Sequence, residues 1–267
     1  MNHDTAGDIL VQTHPNWRRL VLNRPAKLNA VDAPMLGRLI AAIDAAEADP
    51  ACRVLILTGE GRGFCAGQEL GPDVTPSEAG APDLAAMAGR YHHEVVRRIR
   101  ASRLPFIASV NGVAAGAGAG FALACDIVVA ARSAKFVQAF VRIGLIPDSG
   151  STFFLSHLVG DARARALAIL GDAIDAETAE RWGMIWRVVD DAALTTETDA
   201  LIERLVAAPA EAIAGMKRLF ASASAGASLE AQLDLEAREQ GVAGRSADFA
   251  EGVRAFQEKR PPKFNQG

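Results

Sequence analysis

The sequence has few of the residues that define several large classes of protein. Its 267 residues include three cysteines, five histidines and a single tyrosine. The cysteines, which are Cys52, Cys65 and Cys125, show no Cys-x-x-Cys spacing, and this is typical of reduced thiols. The histidines are not spaced as metal ligands, so we expect no metal site. Cys65 lies in a glycine-rich turn, but no histidine nearby in sequence would activate it, so we expect a buried thiol there and not a nucleophile.

Long blocks of like charge and long apolar runs are also absent. The 28 basic and 32 acidic residues give a net charge of −4, which argues against a nucleic-acid surface. The longest apolar run, residues 113–125, is too short and too rich in glycine to span a bilayer. The first residues also lack a basic region followed by an apolar one. We therefore expect a soluble, cytoplasmic protein that binds neither nucleic acid nor a membrane.

Extended and helical patterns alternate up to about residue 190, which predicts an α/β fold. The clearest predicted strands are apolar runs bounded by turn residues, at residues 9–13, 18–22, 54–58, 106–110 and 127–130. The first two are separated by a short turn, which favours a hairpin. Asp32 and Asp83 are positioned to cap helices. Residues 72–82 contain proline, glycine and serine without periodicity, which predicts a mobile surface loop.

Four helical patterns follow one another after residue 190 with no strand between them. Such a tail is most simply explained as a packing or oligomerisation element. The sequence therefore predicts a core of residues 1–190 and a helical region of residues 191–267.

Two glycine-rich turns, at residues 59–67 and 111–120, each follow a predicted strand. Exposed backbone N–H groups in such turns can bind a phosphate or an oxyanion. The dinucleotide fingerprint fails because Phe121 stands where its third glycine should be. One N–H from each turn would instead form an oxyanion hole, which suits acyl chemistry in which a carbonyl becomes an enolate. The alternative is that the glycines only allow a helix to pack closely on a sheet.

Four separated motifs resemble the signatures of the crotonase family, also called the enoyl-CoA hydratase/isomerase superfamily. In chain order they are residues 22–25 with Asn29 and Ala30, residues 63–70, residues 111–120 and residues 125–127. The resemblance implies a crotonase-like spiral of β-β-α turns and a C-terminal helical trimerisation region. It also implies a homotrimer or homohexamer that takes an acyl-CoA thioester, with coenzyme A as part of the substrate and no separate cofactor.

The resemblance also implies roles for particular residues. The backbone N–H groups of Gln68 and Ala117 would form the oxyanion hole. Further residues would lie near the coenzyme A: Lys27, Ala66 and Gln68 in one subunit, and Lys259 or Arg260 from a neighbouring one. The alternative for the last two residues is a solvated helix end.

The two glutamates of typical hydratases are missing. By alignment of the motifs their positions are Gly120 and Phe140, and between residues 104 and 157 only Asp126 and Asp148 are acidic. Asp126 closes a helix at the start of a strand, where we expect it to satisfy local backbone donors.

Asp148 is therefore the candidate catalytic acid and base. It lies where a turn enters a helix among apolar residues, and such surroundings make a carboxylate easier to protonate. The alternative is a helix cap. Related isomerases carry their working aspartate at this turn, with a glycine where Ser151 stands, so the serine is expected to narrow the pocket.

One carboxylate beside an oxyanion hole can move a proton along a conjugated acyl group, which favours isomerisation over hydration. Three alternatives stay open. The first is simple Δ3-Δ2 enoyl-CoA isomerisation or another activity of the family. The second is a residual hydratase, and the third is a non-catalytic acyl-CoA-binding protein.

Overall fold

The computed structural model describes residues 3–4, 7–71, 74–77 and 80–265. Part of the predicted loop at residues 72–82 lies outside the described residues. The described strands form a seven-stranded sheet in the order β1-β2-β3-β4-β6-β8-β11 and a four-stranded sheet in the order β10-β9-β7-β5. The strands are β1 (His3–Asp4), β2 (Ile9–Thr13), β3 (Trp17–Leu22), β4 (Val54–Gly59), β5 (Gly63–Cys65), β6 (Phe106–Val110), β7 (Val113–Ala115), β8 (Ile127–Ala131), β9 (Lys135–Val137), β10 (Ala173–Asp175) and β11 (Arg187–Val189).

Helices connect these strands and form the last part of the chain. They are α1 (Ala33–Ala48), α2 (Leu84–Met87), α3 (His93–Ala101), α4 (Ala117–Ala124), α5 (Ser151–Val159), α6 (Asp161–Leu170), α7 (Ala176–Arg181), α8 (Leu194–Val206), α9 (Ala210–Ser224), α10 (Leu229–Ala243) and α11 (Ala247–Gln257). No helix of the described ranges is both long and apolar enough to cross a membrane.

Repeated β-β-α units build both sheets. The first strands of three successive units, β4, β6 and β8, are parallel neighbours in the larger sheet. The second strands, β5, β7 and β9, are parallel neighbours in the smaller one. Each unit therefore advances both sheets by one strand, which confirms the predicted α/β fold with a crotonase-like spiral. The predicted hairpin is confirmed as antiparallel β2 and β3.

Several short strands differ from the sequence-based expectation. Both β5 and β7 lie inside the segments that we expected to be glycine-rich turns, and β10 and β11 were not among the predicted strands. Each contains only three residues. Strands this short carry too little β-propensity to be detected, and pairing with their neighbours decides their conformation.

The two predicted helix caps are present. The carboxylate of Asp32 accepts a hydrogen bond from the N–H of Met35 at 2.9 Å, and Asp83 accepts one from Ala86 at 2.8 Å. The helix that begins after Asp83 is not regular, because residues Ala88–His92 form a π-helical turn between α2 and α3. Four consecutive helices, α8 to α11, end the described chain as predicted, whereas the division into two regions stays a prediction.

A partly buried ion pair anchors the C-terminal helices to the spiral. The Nζ atom of Lys217 in α9 lies 2.6 Å from the carboxylate of Asp126 and donates to the carbonyl of Leu104 at 2.7 Å. The same carboxylate accepts a hydrogen bond from the N–H of Phe106 at 2.8 Å. Burial lowers the pKa of Lys217, and the carboxylate opposes this shift. These contacts support the structural role expected for Asp126.

We predict that Lys217→Met destabilises the fold because it leaves the Asp126 carboxylate without its ammonium partner. Losing the hydrogen bonds of one charged group in a partly buried pair typically costs about 2 kcal/mol. Urea denaturation at one protein concentration measures this loss. The matched control is Lys135→Met at an exposed position, which we expect to change the free energy of unfolding by less than about 0.5 kcal/mol. Equal losses in the two variants would contradict the prediction.

Candidate active site

Parallel pairing of β5 with β7 places the two glycine-rich turns side by side. Because both strands run in the same direction, the turns that follow them lie at the same edge of the smaller sheet. Two glycines permit the close approach. A Cβ on Gly67, which has φ +91°, would lie 2.9 Å from the carbonyl oxygen of Ala115, and one on Gly118 would lie 2.3 Å from the carbonyl oxygen of Cys65. Any side chain at either position would separate the turns.

The two candidate oxyanion donors lie in these turns. Gln68 follows Gly67, and Ala117 follows Gly116, whose φ of +53° directs the chain into α4. A Cβ at Gly67 would lie 3.6 Å from the nitrogen of Ala117. Neither the N–H of Gln68 nor that of Ala117 has a backbone acceptor among the described residues. Two free donors at adjacent turns are the arrangement that an oxyanion hole requires.

Two asparagines of the sequence motifs hold the first turn in place. The side-chain nitrogen of Asn29 donates to the carbonyl of Gly63 at 2.7 Å. The side-chain nitrogen of Asn111 donates to the carbonyls of Gly59 and Gly61, each at 2.8 Å. The sequence analysis gave these asparagines no role. They satisfy carbonyl groups that the irregular turn leaves unpaired.

The positions of the two missing glutamates are occupied by other groups. A Cβ at Gly120 would lie 2.7 Å from both the Cβ and the carbonyl oxygen of Ser149, so this side of α4 is filled by the turn that carries Asp148. Phe140 is buried, and its ring lies 3.7 Å from where a Cβ of Gly116 would be. An apolar ring therefore flanks the second turn.

Asp148 is half-buried at the start of this turn. Its Oδ1 atom accepts a hydrogen bond from the hydroxyl of Ser149 at 2.9 Å. The residue that caps α5 is Gly150, and no side chain makes a capping hydrogen bond there. The helix-cap alternative for Asp148 is therefore wrong. Ser149 is fully buried with φ +52°, a strained conformation of the kind that clusters at functional sites.

Ser151 packs behind the turn. Its side chain is fully buried, and its Oγ atom lies 3.2 Å from where a Cβ of Gly120 would be. This hydroxyl has no hydrogen-bond partner among the described residues. Its expected effect on the width of the pocket stays a prediction.

The structure adds His92, which the sequence analysis considered only as a metal ligand. Its side chain is 3% exposed, and its ring is stacked on Phe121 with a centroid distance of 6.2 Å. The negative charge of Asp148 acts on the imidazole. No sequence pattern links His92 with Asp148, because the two residues are 56 positions apart and His92 reaches this part of the molecule through its packing on Phe121 of α4.

Cys65 is a buried thiol, as expected. It is completely buried, and desolvation raises its pKa to about 12. A nucleophilic role requires the thiolate, so at neutral pH this side chain is unreactive.

The residues expected near the coenzyme A are placed in two regions. Lys27 forms an ion pair with Glu69, next to Gln68, and its side chain is half-exposed. Ala66 lies in the same turn and donates its N–H to the carbonyl of Leu28 at 2.9 Å. Lys259 is exposed at the far end of the chain, after α11. The structure therefore brings Lys27 and Ala66 close to the candidate oxyanion hole, and their contact with coenzyme A stays a prediction.

Arg260 differs from Lys259 because it is held by carboxylates of its own subunit. Glu251 accepts two hydrogen bonds from its guanidinium, at 2.6 and 3.0 Å, and Glu258 accepts one at 2.6 Å. These carboxylates raise the pKa of Arg260. A phosphate would have to compete with them, so Lys259 is the better candidate of the two.

The fold and the paired turns define an enzyme class. The model of the enoyl-CoA hydratase/isomerase family matches residues 18–267. The chain is 48% identical to the 1,2-epoxyphenylacetyl-CoA isomerase of Escherichia coli K12 over 96% of this chain and 97% of that protein. The chain therefore belongs to the enoyl-CoA hydratase/isomerase family, whose members act on acyl-CoA thioesters.

Two further relatives carry the name of a hydratase. A "probable enoyl-CoA hydratase" of Rhodobacter capsulatus is 45% identical over 92% of this chain and 93% of that protein. The crystal structure of the enoyl-CoA hydratase of Bacillus anthracis matches with a TM-score of 0.91 at 27% identity, over 98% of this chain and all of that one. Similarity alone therefore does not separate isomerase from hydratase activity.

We predict that Gly120→Ala displaces the turn that carries Asp148, because the added Cβ would overlap Ser149. A misplacement of about 1 Å at a catalytic group can cost about 100-fold in rate. Exchange of the α-proton of a bound acyl-CoA for deuterium measures the effect. In the control Gly37→Ala the added Cβ meets nothing within 4 Å, and exchange should be unchanged. Normal exchange in Gly120→Ala would show that the turn tolerates the change.

The contacts of Glu251 with Arg260 and Lys263 predict that the stability of the fold depends on pH. Hydrogen bonds from Arg260 and from the N–H of Lys263 lower the pKa of Glu251 from 4.5 to about 2. Since the folded pKa is depressed, the stabilisation is complete above pH 4.5 and is lost as the pH falls through about 2. The difference in free energy of unfolding between the parent and Glu251→Gln should therefore be larger at pH 7 than at pH 3. Glu203→Gln, at an exposed position, should give the same difference at both values; a pH-independent effect of Glu251→Gln would contradict the prediction.

Proposed function

We propose that the protein is an isomerase that converts 2-(1,2-epoxy-1,2-dihydrophenyl)acetyl-CoA to oxepin-CoA in phenylacetate degradation. One observation carries the proposal. The turn that carries Asp148 packs against Gly120 of α4, the helix that begins at one of the two backbone donors, while this turn and Phe140 occupy the positions of both hydratase glutamates. The 48% identity to an isomerase of the same substrate supports it.

The proposed mechanism uses the backbone and one side chain. The N–H groups of Gln68 and Ala117 hold the thioester oxygen as negative charge develops on it. The C1–C2 bond shared by the epoxide and the six-membered ring opens to give the seven-membered ring, with a shift of the ring double bonds and no change in oxidation state. The carboxylate of Asp148 takes the proton from the carbon next to the thioester and returns it to a ring carbon. Because the same group removes and returns the proton, no net proton is consumed and no second carboxylate is needed. Lys27, Ala66 and Lys259 would contact the coenzyme A.

Simple Δ3-Δ2 enoyl-CoA isomerisation is the second candidate, since it would use the same three groups. Hydration is disfavoured because it needs a water held between an acid and a base, and Phe140 and the turn at Ser149 occupy the places where a second carboxylate would stand. A non-catalytic acyl-CoA-binding protein would keep the backbone donors but would show no exchange of the α-proton.

Exposed apolar side chains support the proposed assembly into a homotrimer or homohexamer. They lie on the C-terminal helices at Met216, Phe220, Leu233, Phe249 and Phe256. Side chains of this size are normally covered in the assembled protein. The helical region would then bury them between subunits.

Purified protein assayed with three thioesters separates the candidate reactions. We expect turnover of the epoxyphenylacetyl-CoA, slower isomerisation of a 3-enoyl-CoA and no measurable hydration of crotonyl-CoA. Hydration of crotonyl-CoA faster than either isomerisation would reject the proposal.

Asp148→Asn tests the catalytic residue. The amide keeps the size of the side chain but cannot accept the proton, so we expect the rate of isomerisation and of α-proton exchange to fall by about 100- to 10,000-fold. The fold and the affinity for acyl-CoA should be retained, which thermal unfolding and calorimetry check. The control is Asp172→Asn, at an exposed position. Near-normal turnover by Asp148→Asn would reject the assignment.

A further inference from the structure

His92 is a buried polar side chain that the fold does not use. It is 3% exposed, and neither ring nitrogen has a hydrogen-bond partner among the described residues. The backbone carbonyl of Met87 is a weak hydrogen-bond acceptor for the ring and raises the pKa of the imidazole, but this contact falls outside the geometry of a normal hydrogen bond. Buried polar groups are almost always hydrogen-bonded in native proteins, so such an exception indicates a role other than stability.

The backbone that carries His92 is unusual as well. His92 is the last residue of the π-helical turn Ala88–His92, which interrupts an otherwise continuous helix. Single π-helical turns have poor hydrogen-bond geometry and are found frequently at functional sites. The wider turn changes the direction in which His92 leaves the helix.

The packing of His92 places it close to the candidate oxyanion hole. Its ring stacks on that of Phe121, with an angle of 22° between the two planes. Phe121 lies four residues after Ala117 in α4, and residues with this spacing share one face of a helix. His92 therefore contacts the face of α4 on which Ala117 lies. The contact is one helical turn after the N–H group of Ala117, which is a candidate oxyanion donor.

The charge of Asp148 also reaches His92. Burial lowers the pKa of the imidazole, and the negative charge of Asp148 raises it by a smaller amount. The ring is therefore neutral at neutral pH, and a neutral imidazole has one N–H donor and one nitrogen acceptor. The acyl group must lie next to Asp148 to exchange protons with it, so a ring within reach of the Asp148 charge lies near the region that the acyl group would occupy.

Resting on the function proposed above, we propose that His92 is a specificity-determining residue whose ring N–H hydrogen-bonds an oxygen atom carried by the acyl group of the substrate. In an epoxyphenylacetyl thioester this is the ring oxygen. A pure hydrocarbon chain would leave the donor unpaired. Sites with a buried polar group discriminate against ligands that cannot pair with it.

A matched pair of non-reacting ligands tests this contact by binding alone. The ligands are 2-hydroxyphenylacetyl-CoA and phenylacetyl-CoA, which differ by one oxygen on the ring. We expect the parent protein to bind the hydroxylated ligand about 10-fold more tightly, as one buried hydrogen bond allows. His92→Phe keeps an aromatic ring against Phe121 and should reduce this preference to less than about twofold. His92→Gln, which restores an N–H donor, should recover part of it.

Kinetics and stability distinguish this role from a structural one. His92→Phe should lower kcat/KM for the epoxyphenylacetyl-CoA by about 10- to 100-fold and leave isomerisation of a 3-enoyl-CoA within about threefold of the parent. Its melting temperature should not fall, because the substitution removes unpaired buried polar atoms. The matched control is His93→Phe, a change to the half-buried neighbour, which should alter neither preference nor rate.

Three outcomes would overturn the inference. They are equal binding of both ligands by the parent, an unchanged preference in His92→Phe, and a loss of melting temperature in His92→Phe with equal slowing of both substrates. Loss of the preference in Ser151→Ala but not in His92→Phe would assign the contact to the unpaired Ser151 hydroxyl and would also overturn it. If the binding preference depends on His92 but the protein does not turn over the epoxyphenylacetyl-CoA, the proposed function is refuted. The proposed role of His92 in binding is then retained.

Discussion

The parallel pairing of β5 with β7 holds two glycine-rich turns at one edge of the smaller sheet, and the candidate site is built around it. Each strand has only three residues, so their pairing alone would be weak. The approach is completed by Gly118, where α4 packs directly against the backbone of Cys65. Asn29 and Asn111 then satisfy the carbonyl groups of the first turn. The result is two backbone N–H groups held without acceptors, ready for a developing oxyanion.

The absence of a side chain at the glycine positions also affects which chemistry the site supports. A backbone oxyanion hole serves hydration and isomerisation equally, so the reaction depends on the carboxylates beside it. In this chain Gly120 allows the turn of residues 148–151 to pack against α4, and Phe140 lines the second turn. The proposed function therefore assigns the proton transfer to Asp148. Its partner in the turn, Ser149, holds a left-handed backbone conformation that costs free energy and keeps the carboxylate beside α4.

The polar side chains near Asp148 differ in their hydrogen bonding from the ion pair of Lys217 and Asp126. Far from the site, the partly buried pair of Lys217 and Asp126 has hydrogen-bond partners for both charged groups and fixes the C-terminal helices to the spiral. Near Asp148, the side chains of His92 and Ser151 are buried without partners. Unpaired buried groups reduce stability unless a ligand pairs with them.

The sequence by itself determined the class of fold, the paired glycine turns, the missing glutamates and the candidacy of Asp148, because motifs, spacing and helix caps are local properties of the chain. It also identified Asp126 as structural. Only the tertiary structure decided that β5 and β7 are strands, that Gly150 and not Asp148 caps α5, and that Arg260 is held by Glu251. It alone placed His92 against Phe121 of α4 and within reach of the charge of Asp148, since the packing of helices brings distant residues together and leaves no pattern in the sequence.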